Sequence, residues 1–120
     1  MDLVRRYEDT FCNLAIEKGD GQQPNDSLLF DEMKNIFCLL YNHPSGKQRI
    51  ISLLDNKNEW VRSWIAAQVL SEGENKKALL VLESLMDKDC TIGFSAEITI
   101  SEFKNGTLKS PFGINSKLSR

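Results

Sequence analysis

The feature that most constrains this chain is the stretch of residues 60–70, WVRSWIAAQVL, which is apolar around nearly its whole circumference. On a helical wheel of about 100° per residue, its apolar side chains cover three sides and leave only a narrow polar strip. A helix of this kind belongs between other elements, because it has no broad face suited to water. The stretch therefore predicts the central helix of a small helical stack. The residues predicted to form the core there are Val61, Ile65, Ala66, Val69 and Leu70.

Length and composition predict one domain. The chain has 120 residues, of which 41% are hydrophobic and 27% charged, as in ordinary globular proteins. Residues 1–106 carry the helical patterns and are predicted to form a single domain, whereas residues 107–120 mix Gly, Pro, Ser and Lys and are predicted to be a flexible basic tail. The start lacks the apolar run of a signal peptide, and no run is long enough to cross a membrane, so we expect a cytoplasmic protein without membrane contact.

Charge is unevenly distributed along the chain. Residues 55–102 contain nine acidic and five basic side chains, a balance of −4, and residues 103–120 contain four basic side chains and no acidic one. Proteins that bind nucleic acid normally concentrate Lys and Arg on one face, which this acidic body does not suggest. The charge pattern instead favours a protein partner with a basic surface.

Apolar residues recur at three- and four-residue steps through most of the chain, which predicts an all-α fold. One segment is ambiguous: Ala96, Ile98 and Ile100 alternate with polar residues as in a strand. The spacing of Phe94, Ile98 and Phe103, followed by an Asn-Gly stop, fits a helix equally well. The helices are predicted at about residues 2–18, 26–42, 59–72, 75–87 and, if this last segment is helical, 94–105. A short third helix, preceded by residues 45–48, is predicted to carry Ile50, Ile51, Leu53 and Leu54.

Polar residues at the predicted helix ends suggest specific caps. Asn25 or Asp26 is predicted to cap the second helix, and Asn58 the central one. Residues 45–48 match a capping box, in which the side chains of Ser45 and Gln48 each accept a hydrogen bond from the backbone N–H of the other residue. The remaining predictions here are a left-handed stop at Gly73 and an ion pair between Arg62 and Asp55.

Two internal matches indicate a repeat. Residues 50–55 match residues 82–87 at an offset of 32, and residues 61–70 match residues 94–103 at an offset of 33. A period of this size is typical of α-solenoids, in which each helix pair covers the apolar face of its neighbour.

The segment of residues 59–67, EWVRSWIAA, resembles the second helix of a HEAT repeat. Over about residues 8–106 the chain is similar to a bacterial domain-of-unknown-function family (twenty-nineteen) of small HEAT-like proteins. The resemblance implies a HEAT-like α-solenoid of about six helices in antiparallel pairs, with a helix in the ambiguous segment. The chain departs from the pattern at residues 98–100, where HEAT helices usually carry alanines. The matching stretches are residues 15–25, 61–70, 78–85 and 93–106.

No residue set identifies a reaction. His43 is the only histidine, and the three cysteines (Cys12, Cys38 and Cys90) have no metal-ligand or disulfide spacing. No glycine-rich phosphate loop is present. We therefore expect no enzymatic activity, no metal and no cofactor.

The expected function is binding of another protein. Small HEAT-like bacterial domains resemble proteins of toxin–antidote systems, so the resemblance implies an immunity protein that neutralises a toxin in contact-dependent growth inhibition. A general scaffold or regulatory protein is the alternative, and a nucleic-acid or repair module fits less well. Trp60 and Trp64 are predicted to pack in the core, with an interface role as the alternative. The oligomeric state and the binding face stay open, and the acidic residues predicted to contact a partner are Glu59, Glu72, Glu74, Glu83, Asp87, Asp89 and Glu97.

Overall fold

The computed structural model describes residues 3–19, 21, 24–88 and 91–114, and within these ranges the chain forms helices and turns without a β-strand. The all-α prediction is therefore confirmed, while the HEAT-like solenoid arrangement stays a prediction. The described helices are α1 (Leu3–Lys18), α2 (Asp26–Asn42), α3 (Gly46–Ser52), α4 (Glu59–Glu72), α5 (Lys76–Met86) and α6 (Thr91–Asn105), with a 3-10 turn at Leu53–Asp55.

Helix α4 is the central element. It packs against α1, α3, α5, α6 and the 3-10 turn. All five residues predicted for its core, Val61, Ile65, Ala66, Val69 and Leu70, are buried. Full burial of a valine, leucine or isoleucine side chain stabilises a fold by about 1.5–3 kcal/mol. The helix that is apolar on most sides thus organises the rest.

Two helix pairs are antiparallel hairpins. Lys18 Nζ and Asp26 Oδ1 lie 2.7 Å apart across the α1–α2 turn. Further from that turn, the rings of Phe11 and Phe37 approach to 5.6 Å between centroids. In the α4–α5 hairpin, the Glu59 carboxylate at the start of α4 lies 2.8 Å from Lys88 Nζ, just beyond the end of α5.

Cap geometry explains which capping predictions hold. Asn58 and Asn75 have extended backbones, and their side chains accept hydrogen bonds from backbone N–H groups of α4 and α5, respectively. Ser45 and Asn25 have ψ angles of 3° and 30°, and neither side chain makes a cap hydrogen bond. A capping side chain reaches the helix only from an extended backbone. The capping box at Ser45 is therefore wrong, and Asp26 is the first helical residue rather than a cap.

Two further local predictions need correction. Helix α4 does end before Gly73, but that residue has φ 152° and ψ 174° rather than the left-handed helical conformation. Arg62 does not pair with Asp55. Its guanidinium donates to the backbone oxygen of Asn56 at 2.7 Å, because the end of the 3-10 turn leaves that carbonyl without a helical donor. Asp55 pairs with Lys77 instead, at 2.6 Å.

The C-terminal region differs from the flexible tail predicted for residues 107–120. Residues 107–114 fold back onto the helices, and Phe112 is only 1% exposed. Its ring stacks on Phe37 at 4.4 Å between centroids and meets Phe11 edge-on at 5.6 Å. The burial of Phe112 and the hydrogen bond from Ser110 to Gln68 hold this segment in place. Residues 115–120 lie outside the described part of the chain.

Candidate functional site

Of the seven acidic residues predicted to contact a partner, the six that the structure describes do not form one patch. Glu72 and Glu74 border the α4–α5 turn, and Glu59 and Asp87 lie at the opposite end of that hairpin. Helix α5 separates the two ends by about 16 Å, given its 11 residues. The others are Glu83 on the exposed side of α5, Glu97 on the exposed side of α6, and Asp89, which lies outside the described residues.

Glu59 already has a cationic neighbour within the chain. The Lys88 ammonium lies 2.8 Å from its carboxylate. The hydrogen bond from Lys88 lowers the pKa of Glu59 below its usual value, because it stabilises the charged form. A basic partner would have to compete with Lys88 for this carboxylate.

Helix α6 carries an exposed apolar pair flanked by carboxylates. Phe94 is 64% exposed and Ile98 is 42% exposed, and the two lie about one helical turn apart. Glu97 and Glu102 are also exposed on this helix, and neither forms an ion pair with any residue that the structure describes. We call the surface formed by Phe94, Glu97, Ile98 and Glu102 the α6 face. It presents apolar area and negative charge together.

A second feature is a cavity of about 320 Å³ where the end of α2, the α3 helix and the α4–α5 turn meet. One carboxylate in its wall is held firmly: Glu72 accepts from the Tyr41 hydroxyl at 3.1 Å and from Gln68 Nε2 at 2.7 Å. Lys47 Nζ lies 5.2 Å from the centroid of the Tyr41 ring. We call this space the Glu72 cavity; its lining residues are Tyr41, Lys47, Ile50, Ile51, Val69, Glu72, Gly73, Glu74 and Asn75.

The two tryptophans lie at the junction of α4 with the C-terminal segment. Trp64 is half-buried and packs against the core, with its ring 5.7 Å from Phe30 and 5.5 Å from Phe112. Its Nε1 is buried and has no acceptor among the residues that the structure describes. Trp60 is half-buried and borders, with Trp64, a cavity of about 260 Å³ between α4, α6 and Pro111.

A chain of polar contacts that crosses the fold was not predicted from the sequence. Gln68 is fully buried. It accepts from the Ser110 hydroxyl at 2.5 Å and donates to Glu72, which in turn accepts from Tyr41. Tyr41 and Glu72 are 31 positions apart in the sequence, and Gln68 and Ser110 are 42 positions apart. No local sequence pattern could therefore predict these contacts. The only available signal was a glutamine within a mostly apolar helix.

His43 and Cys12 carry potentially reactive side chains, and their surroundings are those of structural residues. His43 Nδ1 accepts from the Ser45 backbone N–H at 3.1 Å. Burial, with smaller contributions from Glu8 and Asp9, raises the pKa of the Cys12 thiol to about 11. A thiol in that state is protonated at neutral pH and is a poor nucleophile. Within residues 3–19, 21, 24–88 and 91–114, no three histidine, cysteine or acidic side chains are grouped so that they could hold a metal ion.

Fold and surface together define an all-α domain with an exposed acidic and apolar helix face. Scans against protein-family models, curated proteins and solved structures returned no significant match. Across the described ranges, every helix is too short or too polar to traverse a bilayer.

Proposed function

We propose that this chain is a non-enzymatic protein-binding domain that recognises a basic partner through the α6 face. The observation that carries the proposal is the exposed pair Phe94 and Ile98 beside Glu97 and Glu102. Interfaces commonly combine an aromatic anchor with charged residues around it. The anchor supplies buried apolar area, and the carboxylates favour a partner of opposite charge.

Charge supports a basic partner for this part of the chain. Residues 55–102 have the net balance of −4, and two of their five basic side chains, Lys77 and Lys88, are already bound to Asp55 and Glu59. Complementary charge speeds encounter and disfavours acidic partners such as nucleic acid.

The narrower form of the proposal comes from the family resemblance. In it, the chain is an immunity protein that acts in the cytoplasm and neutralises the toxin domain of a contact-dependent growth inhibition system. A small acidic antidote that covers a basic toxin domain requires no catalytic group of its own. The α6 face is the surface that we assign to that contact.

The test uses a toxin domain encoded next to this gene, whose presence the immunity form of the proposal requires. We expect the purified toxin domain to bind the wild-type protein in isothermal titration calorimetry and to lose toxicity when the two are co-expressed. Phe94→Ser should weaken binding by about tenfold or more, as expected for loss of an interface anchor. Glu97→Lys should weaken binding and reduce its dependence on salt.

The matched control is Leu39→Ser on α2, because Leu39 is 51% exposed but lies on another helix. This variant should bind as the wild type does. Equal loss of affinity in Phe94→Ser and Leu39→Ser would exclude the α6 face as the interface. Absence of any binding or protection would reject the immunity form of the proposal.

A further inference from the structure

We infer that the Glu72 cavity is a receptor for an arginine side chain presented by the protein partner. The inference rests on the proposed function, and it assigns to that partner a specific chemical anchor. Its basis is a half-buried carboxylate that forms no ion pair with any described residue, set in a cavity that also has apolar walls.

The Glu72 carboxylate is held by two neutral donors. Its side chain is half-buried, and both carboxylate oxygens accept hydrogen bonds, but the donors Tyr41 and Gln68 are neutral. No basic side chain forms an ion pair with Glu72 among the residues described. Each carboxylate oxygen can accept a second hydrogen bond. The two neutral donors therefore fix the orientation of the carboxylate and leave it able to bind a cation.

A second carboxylate borders the same cavity. Glu74 is exposed and has no ion-pair partner among the described residues. Between Glu72 and Glu74 stands Gly73, where an added Cβ would meet nothing within 4 Å. No side chain therefore fills the space at Gly73. A planar guanidinium, with five N–H donors, suits a pair of carboxylates better than a single ammonium does.

The rest of the wall suits the aliphatic part of an arginine side chain. Ile51 is 44% exposed, and Ile50 and Val69 border the cavity from within the core. Long basic side chains gain stabilisation when their methylene groups lie on apolar surface.

The charge of Lys47 should oppose binding of an arginine side chain in this cavity. Its ammonium borders the cavity and repels a second cation there. Replacing it with a neutral side chain of similar length should tighten binding of arginine, whereas replacing either glutamate with glutamine should weaken it. A nonspecific apolar cavity would show neither change.

The experiment is an NMR titration of the full chain with N-acetyl-arginine methylamide, and in parallel with the citrulline analogue, which has nearly the same shape without the charge. We expect saturable amide shifts at Ile50, Ile51 and residues 72–75 with the arginine probe only. Glu72→Gln and Glu74→Gln should each weaken binding by about tenfold, the effect of losing a charge-assisted hydrogen bond. Lys47→Met should tighten it.

Glu83→Gln is the matched control, because Glu83 lies on α5 and does not border the cavity. Equal responses to arginine and citrulline, or a response that neither glutamate variant alters, would overturn the inference. Glu74→Gln keeps the test valid if Glu72→Gln disturbs Tyr41 and Gln68, because Glu74 makes no hydrogen bond to either. Phe94→Ser should leave this titration unchanged, so failure of the arginine site and failure of the α6 face are separate results.

Discussion

Single residues decide where the helices of this protein begin. Asn58 and Asn25 are the same residue type directly before a helix, yet only Asn58 caps one. The Asn58 Oδ1 accepts from Trp60 N at 2.9 Å and Val61 N at 3.1 Å, which satisfies two backbone donors at the start of the central helix. The sequence could not separate the two asparagines, because the difference is one of backbone angle.

This difference predicts unequal effects of one substitution at two positions. Asn58→Ala should lower the free energy of unfolding by about 1 kcal/mol, the usual effect of losing a capping side chain. Asn25→Ala should change it by less than about 0.5 kcal/mol, as at an ordinary surface site. Urea unfolding followed by circular dichroism measures both. Equal losses at the two positions would contradict the assigned caps.

Among the elements, the C-terminal segment departs most from what its sequence indicated. Its Gly, Pro, Ser and Lys content is typical of a loose tail, but residues 107–114 are held by Phe112 and by the Ser110–Gln68 hydrogen bond. Composition reports how much apolar surface a segment has on average. One well-placed ring can outweigh that average, since a buried aromatic side chain removes a large apolar area from water.

Replacing that ring tests how the segment contributes to the fold. Phe112→Ala should lower the free energy of unfolding by about 3–5 kcal/mol, because it leaves a cavity among Phe11, Phe37 and Trp64. Phe94→Ala removes the same side chain from an exposed position and should have an effect below about 0.5 kcal/mol. The measurement is the urea midpoint at unchanged m value. Similar midpoints for the two variants would restore the loose-tail interpretation.

Helix α6 shows how far an ambiguous pattern can be resolved by its neighbours. The spacing of its apolar residues fitted a strand as well as a helix, and the helix was favoured by resemblance. The structure extends that helix back to Thr91, three residues before the predicted start. Gly93 allows this start, because a side chain there would collide with the carbonyl oxygen of Lys88. Such close approach depends on the packed arrangement and leaves no periodic signal.

At the scale of the whole molecule, the periodicity of apolar residues predicted the core. Counting the charged residues did not predict which of them lie together on the surface. Val61 and Ile65 are buried because a helix with no polar face has only one stable environment. Acidic residues tolerate any exposed position, so their sequence alone does not tell which of them lie together. The fold separates Glu72 and Glu74 from Glu59 and Asp87, and the cavity around Glu72 emerges only from contacts between distant segments.

The pH dependence of folding tests whether the Glu59–Lys88 contact at one end of the α4–α5 hairpin is part of the folded state. The hydrogen bond from Lys88 places the pKa of Glu59 below its usual 4.5, so in acid the unfolded chain binds more protons here than the folded protein does. This stabilisation is therefore complete above about pH 4.5 and is lost as the pH falls through the lower folded-state pKa. Because the pair is exposed, its contribution is small. The experiment is urea unfolding of wild type and Glu59→Gln, measured from neutral pH down to about pH 2. The difference in free energy of unfolding between the two should be largest at neutral pH and should disappear in acid.

Glu83→Gln is the control, because it removes a carboxylate that has no ion pair among the described residues. Its stability difference from wild type should not disappear in acid in this way. A stability difference for Glu59→Gln that does not depend on pH would exclude the contact.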